Sequence, residues 1–510
     1  MSTPDPREEF DAIIVGYGPV GATMAGLLAH RGWRIVVIDR LPDVYPLPRA
    51  AVFDGEIMRV FDELGLSERF LSETQSGLGA EFVTAERKRI AGFDLPPGFI
   101  GAQGWPDMNF FHQPDLERAL RQNAEANGRV IALLSHEAGT PVQDETHVHL
   151  DVAPLNGGPI RRLSAPWLLA ADGASSPIRK HLGFVFESLG YDHDWLVMDV
   201  ILRRDVSLSP ITQQICDPAR RTTFVPMVGP RKRWEFMLNP GETREEMLAT
   251  DRQWQLLAPW LSPDDADIER SAVYQFHAAT ADKWQDRRIF LLGDAVHQTP
   301  PFLGQGMCAG IRDAANLAWK LDFVRRGLAS PDLLSTYQIE RKPHALDLVD
   351  HAVCMGKLID ELADAQVTGV WPESMDAVYG GTRGFPHLHE GVLSPQTDVS
   401  ALVGYLAPHC QIRDPDGKVR PLDDLASNGF AVICREAMPD LPEAARSVAQ
   451  RLGIRFVSAP RDRRAGPQLD QILQDHEAII VRPDRYVYGV VTQAMPLSRH
   501  LENLSKHFIG

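Results

Sequence analysis

Three features of the sequence predict an α/β protein. Residues 10–40 hold a strand, a glycine loop, a helix and a second strand. From about 194 to 276 the texture becomes strand-rich and alternating. After about residue 400, strands and helices alternate again. Together they give a Rossmann-like sheet domain, an inserted antiparallel sheet and a small C-terminal α/β domain. The expected divisions are 1–185 with 278–375, 186–277, and 395–510.

Composition bounds the function. The chain has 510 residues, 44% hydrophobic and 24% charged, as in a globular protein with large cores. Its net charge of -16 argues against a nucleic-acid binder. The opening MSTPDPREEF lacks the apolar core of a signal sequence. No apolar run approaches the roughly 18 residues of a membrane span. The five cysteines are scattered and form no C-x-x-C, which suits a reducing compartment without a metal or disulfide framework. The expected location is cytoplasmic.

The first unit reads FDAIIVGYGPVGATMAGLLAHRGWRIVVIDR. Ile13 to Val15 is too short for a helix and suits a buried parallel strand. Gly16, Gly18 and Gly21 follow as G-x-G-x-x-G, with Pro19 and Val20 opening the helix that Gly32 stops. Gly16 permits the tight turn, Gly18 admits a pyrophosphate to the backbone, and Gly21 lets helix pack on strand. The helix N-terminus favours the phosphate charge. Asp39, followed by Arg40, ends the next strand 23 residues after Gly16, where a carboxylate meets a ribose hydroxyl.

Arg49 follows a proline loop and precedes a helix carrying Ile57, Val60, Phe61 and Leu64. It is either a ligand contact or a surface charge. Gln113, in FFHQPDLE, either bonds a ligand or caps the turn, and Asp115 is expected to begin the helix. Leu168 to Ala171 is a short strand ending in Asp172-Gly173, with Ser176 and Arg179 beyond. That turn is a second ligand-facing strand end or a capped hairpin. In the strand-rich stretch, Trp234, Phe236 and Leu238 alternate with Arg233, Glu235 and Met237, which predicts one buried and one wet face. Ile289 to Leu292 leads into Gly293-Asp294 and a loop with Pro300, Pro301, Gly304, Gln305, Gly306 and Met307. Its amides face whatever lies over the strand end. His297 is a candidate base or a packed histidine. Ser330-Pro331 opens a long helix expected to run to about Leu362.

These residues, taken together, resemble the single-component FAD-dependent aromatic hydroxylases of the p-hydroxybenzoate hydroxylase type, the class A flavoprotein monooxygenases. GYGPVG with Asp39 looks like the ADP-binding motif. Asp172-Gly173 with Ser176 and Arg179 matches D-G-x-x-S-x-x-R, and Gly293-Asp294-Ala295 with His297 matches G-D-A-x-H and its flavin loop. Arg49, Gln113 and Val142 also stand where the family contacts FAD. Within the family, ICDPARRTTFVPMV, KRWEFMLNPGET, GIRDAANLAWKL and VRPDRYVYG are most similar to 3-(3-hydroxyphenyl)propionate hydroxylases. Cys308 stands where many relatives have asparagine, a departure that bears on substrate fit more than on flavin binding.

The resemblance implies noncovalent FAD, NADH or NADPH as reductant, and O₂. It implies one oxygen inserted ortho or para to an existing hydroxyl of a phenolic ring, through a C4a-hydroperoxyflavin, in aromatic catabolism. The implied substrate is a small phenol, with or without a carboxylate side chain. It also implies a C-terminal thioredoxin-like domain, redox-inert because Cys410 and Cys434 lack dithiol spacing, serving packing or contact in a homodimer. His297 and His112 are the candidates for the base that takes the phenol proton, beside an ordered water; no metal is expected. Two other readings stay open: hydroxylation of a polyketide or other activated ring, and a flavin-binding protein without turnover.

Overall fold

The computed structural model describes residues 10–372, 386–395, 402–413, 416–426, 429–436, 440–459, 464–465 and 467–508. Four short apolar runs form the parallel core of the first sheet. In order these are Ile289–Leu291, Trp167–Ala170, Ala12–Val15 and Ile35–Ile38, with Val130–Leu133 beyond and Gln285–Asp286 antiparallel at the other edge. All four are buried at every position, because helices cover both faces. The helix Pro19–His30 packs against Gln113–Glu125 and Gly306–Arg325. Strand order reverses beside Ala12–Val15, so its C-terminal end opens a crevice where α/β sheets bind ligands.

The second sheet has eight strands, in the order His297–Gln298, Ala266–Ala281, Phe186–Leu202, Arg231–Met237, Thr222–Val225, Thr212–Ile215, Gly79–Val83 and Arg89–Asp94. Three of these strands lie outside the expected 186–277 stretch. Thr212–Ile215 pairs in parallel with Gly79–Val83, which satisfies backbone groups that an edge strand would leave open. Glycine-containing GAEFV and RIAGFD carry too little periodicity to announce this.

The alternation of Arg231–Met237 is present, but its outcome differs from expectation. Trp234 and Phe236 fill a core with Met247 and Leu257. Arg233 and Glu235, expected in water, are 4% and 6% exposed, because that face lies over the first domain.

The long helix begins later than expected. Ser330 caps a 3₁₀ turn, Pro331–Ser335, and Thr336–Thr368 follows until Gly369 at φ +75°. The helix expected from Asp115 starts at Gln113 with Pro114 in its first turn. In the last part, Arg455–Ser458 pairs in parallel with Ala431–Cys434. Ala478–Val481 and Val487–Val491 then add antiparallel. Trp319 and Phe323 of Gly306–Arg325 sit in one core with Phe430, Tyr488 and Phe508, so the C-terminal unit is packed onto the first domain. Among the described residues, no helix is long and apolar enough to cross a membrane.

Candidate active site

A cavity of about 1290 Å³ runs from the glycine loop to the polar face of the eight-stranded sheet. Single drug-sized ligands fill roughly 300–1,000 Å³, so this space suits a large cofactor with a small molecule beside it.

At one end the glycines divide the work by geometry. A Cβ on Gly16, at φ +97°, would stand 2.2 Å from the Ala171 carbonyl oxygen; one on Gly21 would stand 2.0 Å from that of Gly16. Those two are required by the fold. A Cβ on Gly18 would meet nothing within 4 Å: it faces the cavity that Gly18, Pro19, Val20 and Gly21 line. The N-terminus of Pro19–His30 is therefore an open anion cradle.

Asp39 accepts from Tyr17 N at 2.7 Å and Leu41 N at 2.8 Å. Each carboxylate oxygen keeps a second lone pair for a ribose hydroxyl, though Asp39 does not line the cavity. Arg40, beside it, does not line the cavity either: its side chain is 70% exposed and pairs with Glu137 at 3.6 Å. Val142 too stands off the cavity. It lies 59% exposed in a small separate sheet, paired with His149.

The middle of the cavity is built by three loops. Gln113 Oε1 accepts from Arg49 N at 2.9 Å and Ala50 N at 2.8 Å, so it shapes the Arg49 loop while itself lining the cavity. The Arg49 guanidinium lies over Tyr45, 4.7 Å from the ring centroid. Asp294 lines the cavity and is accessible from it. Surrounding protein pushes its carboxyl up from the usual range, while His297 and Arg49 pull the other way. Gly293, at φ +60°, abuts Val20 and Gly310 and serves the turn. Pro301, Gly304, Gly306 and Met307 line the cavity, and buried Gln305 points away from it. Cys308 is also turned away, its thiol near the carbonyls of Val52 and Gly304.

Asp172 stands just behind. Its Oδ2 accepts from Ile178 N at 3.2 Å, while Oδ1 is buried without a partner, and burial raises its pKa. Arg179 donates to the Ala295 carbonyl at 2.7 Å, tying this turn to the Asp294 loop.

Neither histidine reaches the cavity. His297 is 1% exposed, with Nε2 2.7 Å from Asp313 Oδ2. Asp313 also accepts from Gly293 N at 3.0 Å and Arg341 Nε at 2.9 Å. His112 caps the helix Gln113–Glu125, with Nδ1 2.7 Å from Asp115 Oδ2. Each is held by a carboxylate and stands off the cavity.

The far end carries groups that the sequence did not single out. Asp199 accepts from Arg233 Nε at 2.6 Å and lies 3.2 Å from Arg270 Nη1. Arg233 also donates to the Arg49 carbonyl at 2.6 Å, and Arg270 to that of Pro48. Arg270 Nη2 donates to the Tyr274 hydroxyl. Glu235 is buried, and desolvation raises its pKa despite Arg233 nearby. Phe276 and Phe302 wall the space edge to face, centroids 6.4 Å apart.

The open cradle at Gly18, the accessible Asp294 and the Pro301 to Met307 loop, all on one cavity, fit a flavin dinucleotide. A family profile described as "FAD binding domain" matches residues 9–352, and one described as "HcaD C-terminal domain" matches 404–506. A probable NADH-specific resorcinol 4-hydroxylase of Rhodococcus jostii (strain RHA1) is 33% identical, covering 96% of this chain and 94% of its own. A 3-(3-hydroxy-phenyl)propionate/3-hydroxycinnamic acid hydroxylase of Burkholderia cenocepacia (strain HI2424) is 30% identical, covering 94% of each. Aklavinone-11 hydroxylase, solved with FAD and aklavinone, superposes with TM-score 0.80 at 22% identity, covering 98% of this chain and 99% of that one.

Proposed function

The chain belongs to the FAD-binding family of flavoprotein aromatic hydroxylases, and from that premise we propose that it hydroxylates a small, uncharged phenol carrying a second hydroxyl, with NADH as reductant. The observation that carries this reading is a single cavity shared by the flavin loops and the Arg270–Tyr274 corner.

Bound FAD would supply the redox and oxygen-activating chemistry, and the protein position and shelter. Gly18 and the helix N-terminus would hold its pyrophosphate, Asp39 its ribose, Asp294 its ribityl chain, and the Gly304 to Met307 backbone its ring. Among the described residues no cysteine lines the cavity, and its lining histidine, His277, has Nδ1 held 2.5 Å from Asp192 Oδ1, which supports noncovalent binding. Tyr274 already accepts from Arg270, so its own proton is left to meet the substrate oxygen. The guanidinium behind it steadies negative charge as the phenol loses its proton. Phe276 and Phe302 cover the ring and keep water out.

Prior engagement of the cations disfavours a carboxylate side chain. Arg233 and Arg270 are already engaged by Asp199 and by the carbonyls of Pro48 and Arg49. Glu235, held towards its neutral form by burial, offers a hydroxyl group a donor and would repel a carboxylate once ionised.

We read the domains as 1–185 with 278–375, 186–277 supplemented by the strands at 79–94, and 395–510. The parallel pair followed by an antiparallel pair supports a thioredoxin-like reading of the last. The test presents resorcinol and 3-(3-hydroxyphenyl)propionate in parallel under ¹⁸O₂ with NADH. One labelled oxygen in the resorcinol product, with NADH consumed equally and the acid turned over more slowly, is expected. Label from water, or a preference for the acid, would overturn the reading.

A further inference from the structure

The segment Arg482–Tyr486, RPDRY, is buried against the first domain, and none of the chemistry above uses it. Arg485 sits at φ +72°, a left-handed position that a non-glycine residue holds only where its surroundings fix it. Three side chains of this turn are anchors. Arg482 donates to Glu340 at 2.6 Å, Arg485 to Glu63 at 2.7 Å, and Asp484 accepts from Asn316 at 2.9 Å.

Tyr486 reaches further. Its hydroxyl lies 3.1 Å from Glu56 Oε1 and 3.1 Å from His344 Nε2. A carboxylate only accepts, so Tyr486 donates to Glu56 and receives the Nε2–H of His344. Glu56 Oε2 accepts from Arg312 Nε at 2.5 Å. Arg312 donates onward to Gln305 Oε1 at 2.8 Å and to Asp54 Oδ2 at 2.6 Å. Gln305 Nε2 closes the ring on Asp54 Oδ2 at 3.1 Å. Every member is buried, so water cannot replace a lost link, and low local dielectric strengthens each one. Gln305 stands between Gly304 and Gly306, both of which line the cavity.

We infer that Tyr486 is a positioning residue through which the C-terminal domain fixes the flavin loop, by the relay Tyr486–Glu56–Arg312–Gln305. The relay then gives the domain a part in the reaction through side chains that do not themselves line the cavity.

The test uses the full-length protein, FAD-loaded and FAD-stripped. Tyr486→Phe removes the donor while keeping the ring. Tyr488→Phe is the control, because that hydroxyl is buried without a partner two residues away. Hydrogen exchange of the 301–307 peptide should quicken about fivefold in Tyr486→Phe, loaded or stripped, and FAD affinity should fall by a similar factor, the span of one lost hydrogen bond. Tyr488→Phe should change neither. The double variant Tyr486→Phe/Gln305→Leu should exchange no faster than Gln305→Leu alone, since both cut one path. Should Tyr486→Phe not fold, Glu56→Gln, which keeps an acceptor for Tyr486 but loses the charge facing Arg312, is read the same way. Unchanged loop exchange in the folded relay variant, or additive effects in the double variant, would overturn the inference.

Discussion

Replacing Gly18 by alanine separates the ligand's demands from the fold's. Gly18 caps Pro19–His30 with φ −68° and ψ −174°, a conformation any residue adopts. The added methyl would meet no protein atom within 4 Å. Reduced freedom of the unfolded chain favours the variant by about 0.4–1 kcal/mol. Alanine's poorer capping opposes it by a similar amount, roughly 1 kcal/mol or less. The FAD-stripped variant should therefore melt with the parent. The methyl would, however, stand where the pyrophosphate approaches the helix amides. Losing one charge-assisted hydrogen bond costs about 1.5–3 kcal/mol, or roughly 10- to 150-fold in Kd. Gly21→Ala is the contrast: its Cβ would lie 2.0 Å from a backbone oxygen, so the turn must open and both stability and affinity must fall. Titration of stripped protein by flavin fluorescence, with melting curves alongside, reads both quantities. Wild-type FAD affinity in Gly18→Ala, or a loss of melting temperature matching that of Gly21→Ala, would refute the reasoning.

Glu235→Gln tests the neutral carboxyl. Burial raises its folded pKa above the ordinary 4.5, so its stability is fully present below 4.5 and is lost as pH rises through the folded value. The variant should match wild type near pH 5 and melt progressively higher than wild type towards pH 8; a constant gap would contradict this. His297→Asn should lose about 1–3 kcal/mol of stability by breaking the buried bond to Asp313 while keeping the shape of the kcat–pH profile. Loss of a titrating limb from that profile would restore His297 as the base.

The cofactor half of the site was legible because its requirements are local. Gly16, Gly18 and Gly21 answer to a turn, a ligand and a packing contact within six residues, and each role leaves one residue type. Asp294 and the loop to Met307 were legible for the same reason: a strand end followed by glycines and prolines has few conformations. Arg40 and Val142 stand off the cavity; nearness to a motif in sequence says nothing of where a side chain points. The two histidines were ambiguous for a different reason. Imidazole is equally at home as a base and as a buried donor, and only the position of Asp313 or Asp115 decides which.

The substrate half was illegible because its polarity has two explanations that sequence cannot separate. Alternation in Arg231–Met237 shows that Trp234 and Phe236 face apolar surroundings; it does not show whether Arg233 and Glu235 face bulk water or a closed cavity. The deciding partners are remote: Arg233 bonds Asp199 across a strand pair and the carbonyl of Arg49 from another domain. Those contacts also explain why this face tolerates burial. Two guanidiniums, one carboxylate and the carbonyls of residues 48 and 49 bond one another, with Arg270 Nε left over, and the same carbonyls belong to the loop that Gln113 shapes beside the cofactor space. A change at Arg233 or Arg270 should therefore disturb flavin and substrate together, whereas a change at Tyr274, which hangs on Arg270 alone and faces the cavity, should disturb the substrate and leave the flavin in place.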